Sequence, residues 1–271
     1  MQKWLAALAL ALCAAAPIAV RAQDVPLNGM RVLGSHNSYR PALTEQTLAE
    51  QWRILGEHSA AVEYGHPSIA RQLDLGLRQL EFDPVADPFG GLFAAPYVGD
   101  PASFAAMRRP GAKVLHVPFV DRRSLCLTLA DCFAQVASWS RAHPGHALIT
   151  VVVNASDGRD DNPIMPQLMP FDAAALAAID TSARTTFGTA HLITPDQVRG
   201  RWPTLRAGVL HRGWPRQSAA KGKVMLILDT NDRVLDAYRR GHASLRGRAM
   251  FGFYGEGDAE AAIFNVQNPV E

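Results

Sequence analysis

The 271-residue chain has little excess charge, few cysteines and, after its N-terminus, no long apolar run. Its 27 Lys and Arg against 25 Asp and Glu leave a formal charge of +2, which does not favour nucleic acid as a partner. No internal repeat, low-complexity segment or Gly/Ser-rich linker divides it. Because 48% of the residues are hydrophobic, the chain has enough apolar side chains for a core. We therefore expect one globular domain at residues 23–271, and a monomer.

The first 22 residues differ in composition from the rest. Met1-Gln2-Lys3 gives a positive start, an Ala/Leu-rich stretch follows, and Ala22 is a small residue suited to a cleavage site. A membrane anchor is the alternative, but Arg21 interrupts a run already shorter than the about 20 apolar residues of a span. We predict a secretory signal peptide at residues 1–22 and export to the periplasm or the medium.

Cysteine is scarce, with three residues in the whole chain. Cys13 would be removed with the signal peptide, which leaves Cys126 and Cys132 in a compartment that permits disulfides. We expect these two to pair. Two buried free thiols are the alternative, favoured if helical spacing runs through both positions.

Beyond the signal peptide, apolar runs and amphipathic segments alternate. Strands are predicted at residues 31–33, 77–82, 114–115, 147–153, 223–228 and 249–254, with a further one at 261–266, and helices at 44–61, 68–75, 129–142 and 172–183. This alternation predicts an α/β fold with a parallel sheet. A doubly wound sheet would need a phosphate-binding fingerprint after its first strand, and Gly34-Ser35-His36-Asn37 is not one. A TIM-type barrel is therefore favoured.

Polar side chains follow several of these predicted strands. His36-Asn37 follows the first, Glu81 and Asp83 end the second, and His116 follows the third. Two histidines are able to divide acid and base roles near neutral pH. Carboxylate and amide oxygens suit a hard cation such as Ca2+. The two-residue period of a strand puts Glu81 and Asp83 on one face. These are the groups that metal-assisted phosphodiester cleavage requires.

Each of these groups also has a structural interpretation. His36-Asn37 could be a turn pair, Glu81 and Asp83 could be solvent-facing strand charges, and His116 alone could be a packed histidine. Arg78 could bind a phosphate or balance nearby carboxylates.

Several short motifs follow one another along the chain. They are His36-Asn37-Ser38-Tyr39, Tyr64-Gly65-His66-Pro67, Gln72-Leu73-Asp74-x-Gly76-x-Arg78-Gln79-Leu80-Glu81-x-Asp83, Asp87-Pro88-x-Gly90-Gly91, His116, His143-Pro144-Gly145-His146 and Pro195-Asp196-x-Val198-Arg199-Gly200. In this order, and over essentially the whole mature chain, they resemble the calcium-dependent bacterial phosphatidylinositol-specific phospholipase C family.

The resemblance implies a barrel-type phosphodiesterase with His36 and His116 as the catalytic pair and Asn37, Glu81 and Asp83 as Ca2+ ligands. It makes His116 the better candidate for general acid and His36 for phosphate contact or proton transfer. In such enzymes an inositol hydroxyl attacks the neighbouring phosphodiester, which gives a cyclic inositol phosphate and diacylglycerol. The substrate would be a phospholipid or a small phosphodiester, and the protein would contact a membrane surface transiently.

The chain departs from the family pattern in two places. Relatives often have a glutamate at the end of the fourth strand and a lysine two residues later, whereas this chain has Asn154-Ala155-Ser156. Asn154 would be a weaker Ca2+ ligand, and Asp157 could compensate. Relatives usually continue past the position that matches Glu271. Either further strands within this chain complete the barrel, or the sequence is truncated and the barrel is incomplete at its C-terminus.

Two other functions stay open. A glycerophosphodiester phosphodiesterase of the same barrel type is one, although such enzymes commonly have His-Arg-Gly and a downstream Glu-Asn-Thr, and neither follows His36. A catalytically weakened lipid- or calcium-binding protein is the other, since Asn154 lacks the carboxylate charge of its counterpart.

Overall fold

The computed structural model describes residues 24–118, 121–155 and 168–264. The predicted signal peptide, Asp157 and the end of the strand predicted at 261–266 lie outside these residues. None of the helices in the described ranges is both long and apolar enough to cross a membrane.

The centre of the fold is a parallel sheet, as predicted. Its strands are β1 (Gln79–Phe82), β4 (Ile149–Asn154), β5 (Leu192–Ile193), β6 (Val224–Asp229) and β7 (Met250–Gly252). The order is β1-β4-β6, and both β5 and β7 pair with β6. The central strands β4 and β6 are apolar along nearly their whole length, which suits strands covered on both faces.

Helices pack around this sheet. They are α1 (Glu45–Leu55), α2 (Ile69–Asp74), α3 (Pro101–Arg108), α4 (Leu129–Ala142), α5 (Ala173–Phe187), α6 (Pro195–Arg199), α7 (Leu205–Arg212) and α8 (Asp232–Arg239). Short 3-10 turns lie at Leu27–Gly29, Gly56–Val62, Ala95–Tyr97, Thr189–His191, Gln217–Ala220 and Ala243–Leu245. The bounds of α4 are those predicted, because the Thr128 side chain accepts from the Asp131 amide at its start and Pro144 follows its end.

Several predicted elements differ from the structure by a few residues at an end, such as the helix predicted at 172–183, which ends at Phe187. Four differ by more than that or in their kind of structure. Residues 31–33 do not form a strand, and Gly34 makes only an isolated parallel bridge to Gln79. Helix α1 ends at Leu55, because Gly56 takes a φ of 55° and a 3-10 turn follows. Over 261–264 there is only a bridge, between Phe253 and Ile263.

The fourth difference concerns the run before His116. Strand β3 (Lys113–Val114) does not join the parallel sheet, but pairs antiparallel with β2 (Pro84–Val85), which begins directly after Asp83. This side hairpin has a small core of its own, made of Val85, Phe93, Ala94, Met107, Leu115 and Leu168. His116 therefore reaches the site from a separate lobe and not from a neighbouring strand of the sheet.

The predicted disulfide between Cys126 and Cys132 is confirmed, with an S–S distance of 2.06 Å. It joins the loop after the side hairpin to the first turn of α4. Helical spacing does not run through both cysteines, because α4 begins only at Leu129.

Candidate active site

The loop that carries His36 is fastened to β1 by backbone and side-chain hydrogen bonds. The Ser38 amide donates to the Glu81 carbonyl (3.0 Å), and the Glu81 amide donates to Ser38 Oγ (2.9 Å). The Asn37 amide donates to Glu81 Oε2 (3.2 Å), with Asn37 in the left-handed region at φ 50°. His36 itself is 71% exposed. A buried loop thus presents one exposed imidazole beside the Glu81 carboxylate.

Tyr64 lies next to both predicted catalytic histidines. Its Oη is 3.3 Å from His36 Nδ1 and accepts a hydrogen bond from Asn37 Nδ2 (2.5 Å). Its ring centroid is 5.9 Å from that of His36 and 6.4 Å from that of His116. The structure therefore brings His36 and His116 next to the same tyrosine, although 80 residues separate them in sequence.

His116 is oriented by a buried ion pair. Its Nδ1 lies 3.2 Å from Asp121 Oδ2, and the same oxygen is bound by Arg40 through Nε (2.8 Å) and a terminal nitrogen (2.7 Å). Arg40 is 1% exposed and its guanidinium stacks over Tyr64 at 4.4 Å. Burial disfavours the Asp121 carboxylate, but the hydrogen bond from His116 and the charge of Arg40 outweigh it and keep the pKa of Asp121 below its usual value.

Side chains that carry oxygen atoms lie at the carboxyl ends of three neighbouring strands, and we call them the oxygen layer. Asn154 and Asp229 are register partners at the ends of β4 and β6, and Asp83 follows Phe82, the last residue of β1 and the partner of Val153. Strand alternation puts all three on one face of the sheet, with Glu81 one layer lower on β1. Parallel strands thus bring an amide and three carboxylates to the same edge of the sheet.

Electrostatics in this layer are unfavourable without a cation. Burial and the neighbouring Glu81 raise the pKa of Asp83 to about 7, and hydrogen bonding by Tyr39 and Asn154 offsets only part of the rise. Burial and Glu81 also raise the pKa of Asp229. A positive ion near these oxygens would relieve the repulsion.

The oxygen donors available fit a hard cation. Asp83 Oδ1 and Asn37 Oδ1 are both buried, and neither has a hydrogen-bond partner. Unpartnered buried oxygens are costly unless something binds them. No three His, Cys, Asp or Glu side chains form a metal-binding cluster in residues 24–118, 121–155 and 168–264. A cation here would accordingly need amide oxygens as well as carboxylates, and Ca2+ accepts that mixture.

The chain was compared with known proteins. The family model described as phosphoinositide phospholipase C, Ca2+-dependent, matches residues 25–271. The chain belongs to this family. No curated protein matches it significantly. The resemblance seen in the sequence motifs is thereby confirmed at the level of the family.

Solved structures of bacterial members share the fold. Calcium-dependent phosphoinositol-specific phospholipase C from a Pseudomonas species, as its myo-inositol complex, is 20% identical with a TM-score of 0.55, over 85% of this chain and 66% of that one. An apo form of that enzyme is 19% identical with a TM-score of 0.54, over 84% of this chain and 65% of that one. The Ca2+-dependent phosphatidylinositol-specific phospholipase C from Streptomyces antibioticus is 19% identical with a TM-score of 0.53, over 82% of this chain and 64% of that one. The chain thus spans less than two thirds of these relatives, and the likeness confirms the predicted α/β fold of the phospholipase C barrel type.

The structure brings most of the predicted site residues together. At the carboxyl ends of β1 and β4, which we call the mouth, lie His36, Asn37, Glu81, Asp83, His116 and Asn154. Arg78 does not, because it precedes β1 at the opposite end of the strand. Its guanidinium donates to the Leu73 and Leu77 carbonyls (2.9 and 2.7 Å) and lies 5.0 Å from the Trp139 ring. This position gives no support to a phosphate contact by Arg78 at the mouth.

Four residues of the site were not singled out from the sequence. Asp229 ends a predicted strand, so the reasoning applied to Glu81 and Asp83 could have found it. Tyr64 stands in the motif Tyr64-Gly65-His66-Pro67. Arg40 and Asp121 carry no such signal, because their pairing depends on contact between segments 81 residues apart.

Proposed function

We propose that the protein is a secreted, calcium-assisted phosphodiesterase that cleaves phosphatidylinositol, or a related phosphodiester, through a cyclic inositol phosphate. The observation that carries this proposal is that His36 and His116 both lie next to Tyr64, close to two buried oxygens, Asn37 Oδ1 and Asp83 Oδ1, that have no hydrogen-bond partner. Acid–base groups and a candidate cation site on one mouth are what phosphodiester cleavage by an internal hydroxyl needs.

His116 is suited to general acid catalysis. Hydrogen bonding between Nδ1 and the Asp121 carboxylate fixes the orientation of the ring. The proton on Nε2 is then the one that His116 gives to the departing glycerol oxygen. Arg40 holds Asp121 in place from the other side, so it acts as a positioning residue for His116.

His36 is suited to phosphate contact or to proton transfer from the attacking inositol hydroxyl. Its Nε2 is 3.9 Å from Glu81 Oε2 and its Nδ1 is 3.3 Å from Tyr64 Oη. When this imidazole takes up a proton, the Glu81 carboxylate lies close to the resulting positive charge. The positively charged ring is then able to contact a phosphoryl oxygen. Its exposure leaves room for a substrate to approach.

Ca2+ would be held by Asn37, Glu81 and Asp83, with the Asn154 oxygen as a weaker ligand. When bound, it supplies positive charge that favours ionisation of the attacking hydroxyl and stabilises the charge-rich phosphorane. Asn154 contributes one negative charge fewer than a carboxylate, and ligand charge tunes Ca2+ affinity. We therefore expect weaker Ca2+ binding here than in a site with a carboxylate at that position.

Export is inferred from residues 1–22, which have the composition of a signal peptide. The Cys126–Cys132 disulfide supports it, because disulfides persist mainly in oxidising compartments.

The test is release of water-soluble inositol phosphate from phosphatidylinositol vesicles, with Ca2+ and with a chelator. Wild type is expected to release product only with Ca2+, and His36→Ala and His116→Ala are expected to lose at least about a hundredfold in rate. His143→Ala is the matched control, because His143 stacks on Trp139 at 4.0 Å, away from the mouth. Equal losses in all three variants, or no release by a folded protein that binds Ca2+, would contradict the proposal. The second result would favour a binding role.

A further inference from the structure

Tyr64 is held in place against the loop that carries His36. The Arg40 guanidinium lies 4.4 Å from the centroid of its ring, and Arg40 is 1% exposed. Two residues further on, the His66 amide donates to the Arg40 carbonyl (2.8 Å), and His66 Nε2 donates to the His36 carbonyl (2.8 Å). The ring of Tyr64 is therefore anchored on a buried arginine, and its hydroxyl has a defined place beside His36.

The Tyr64 hydroxyl accepts a hydrogen bond from the Asn37 side chain. Asn37 Nδ2 lies 2.5 Å from Tyr64 Oη, and an amide nitrogen only donates, so the tyrosine oxygen is the acceptor. The other end of the amide, Asn37 Oδ1, is buried and has no hydrogen-bond partner. Because Nδ2 is engaged by Tyr64, the oxygen is the atom of this amide that is left to bind a cation.

The same hydroxyl has one hydrogen to donate. Within residues 24–118, 121–155 and 168–264, the atom that can accept it is His36 Nδ1, at 3.3 Å from Tyr64 Oη. A neutral imidazole that accepts at Nδ1 carries its own proton on Nε2. His36 Nε2 lies 3.9 Å from Glu81 Oε2, so this N–H group is on the side of the ring that faces Glu81.

We propose that Tyr64 is a positioning residue that sets both the tautomer of His36 and the orientation of the Asn37 amide. The inference rests on the proposed function for its part in turnover, whereas the effect of the hydroxyl on these two side chains is measurable without substrate. Because Nε2 already carries the proton, neutral His36 is able to donate from Nε2 to a phosphoryl oxygen. Tyr64 thereby favours phosphate contact over proton transfer as the role of His36.

The first measurement is nitrogen-15 NMR of the metal-free protein, labelled at its histidine rings. It is made at about pH 8, above the ordinary imidazole pKa of about 6.5, and the His36→Gln spectrum identifies the two signals of His36. In wild type we expect an unprotonated Nδ1 and a protonated Nε2. Tyr64→Phe is expected to give a mixture of the two tautomers, because Nδ1 loses its donor.

The second measurement is calorimetric titration with Ca2+. Tyr64→Phe keeps the ring on Arg40 but removes the acceptor of Asn37 Nδ2, so Ca2+ binding is expected to weaken about fivefold. In an Asn37→Ala background, the same substitution is expected to change the affinity by less than about twofold, because the group that it positions is already absent.

Tyr238→Phe is the matched control. It also removes a buried tyrosine hydroxyl with two hydrogen bonds, but the partners of that hydroxyl are Asp180 and the Met250 amide, which do not belong to the site. The control is expected to keep the wild-type tautomer of His36 and the wild-type Ca2+ affinity.

Three results would overturn the inference. They are a protonated Nδ1 on His36 in wild type, equal Ca2+ affinity in wild type and Tyr64→Phe, and an equal loss of affinity in Tyr64→Phe and Tyr238→Phe. If the tautomer and the Ca2+ results are as expected but no phosphodiester is cleaved, the positioning role of Tyr64 is supported and the proposed function is contradicted.

Discussion

Replacing Arg40 by methionine should destabilise the protein more than most substitutions outside its apolar core. The side chain is 1% exposed, binds Asp121 through two nitrogens at 2.7 and 2.8 Å, and donates to the Val62 carbonyl at 2.8 Å. Methionine fills similar space but leaves the Asp121 carboxylate buried with His116 as its remaining partner. Breaking a buried pair in this way costs about 3–5 kcal/mol.

The stability lost in Arg40→Met should depend on pH, and the pKa of Asp121 sets the direction. Because the pKa of Asp121 is held below its usual value, the carboxylate stabilises the folded state above its unfolded pKa of about 3.9 and loses that contribution as pH falls through the folded pKa. The difference in free energy of unfolding between wild type and Arg40→Met should therefore be largest above about pH 5 and narrow below about pH 4. Urea unfolding at several pH values measures it.

A double-mutant cycle isolates the pair. Asp121→Asn removes the charge while keeping an oxygen that accepts from His116. The double variant should be less destabilised than the sum of the single variants, by about 1–3 kcal/mol. Additive effects, or a loss under about 1 kcal/mol for Arg40→Met, would refute the idea that a buried ion pair positions His116.

Three further outcomes are expected. Replacing Cys126 and Cys132 by serine should lower the free energy of unfolding by about 2 kcal/mol, since the loop that they close is short, and urea unfolding without reductant measures it. Asn154→Asp should tighten Ca2+ binding by about tenfold and lower the melting temperature of the metal-free protein, because a further negative charge joins the oxygen layer; calorimetric titration and thermal unfolding check both, and weaker Ca2+ binding would count against Asn154 as a ligand. Tyr238→Phe should cost about 1–3 kcal/mol, because the hydroxyl donates to Asp180 (2.6 Å) and accepts from the Met250 amide (2.9 Å); a loss below about 0.5 kcal/mol would show that water replaces it.

Much of the fold could be predicted because local pattern and burial agree. The amphipathic segment 129–142 has a threonine cap before it and a proline after it, so its ends are set by residues inside or next to it. The runs that form β4 and β6 are mostly apolar over the length of a strand, β4 is also rich in β-branched residues, and both strands are buried on both faces. In these elements tertiary packing strengthens what the local sequence already favours.

Elements with weak local signals were predicted less well. Residues 31–33 are apolar, but Val32 is 46% and Leu33 76% exposed, and only one bridge with β1 forms there. The apolar run before His116 predicts a strand of the main sheet. In the structure Lys113 is fully buried and pairs with Asp87 at 3.2 Å, and this contact holds the run in the side hairpin. No periodicity in the sequence distinguishes these two destinations.

The site could be predicted in part for the same reason. Glu81 and Asp83 follow from the two-residue period of β1, and Asp229 follows from the same rule at the end of β6. Arg40, Tyr64 and Asp121 do not, because each acts through contacts with segments distant in sequence. Arg78 shows the converse. The sequence allowed it a phosphate contact or a role in balancing nearby carboxylates, whereas the strand direction places it at the end of β1 opposite the mouth.

The most direct test of the central claim is phosphorus NMR of the reaction with phosphatidylinositol and Ca2+. The account predicts that a cyclic inositol phosphate is the first product, that it forms only with Ca2+, and that His116→Ala does not form it. A folded, Ca2+-bound wild-type protein that yields no cyclic product, or yields it equally with a chelator, would contradict the account.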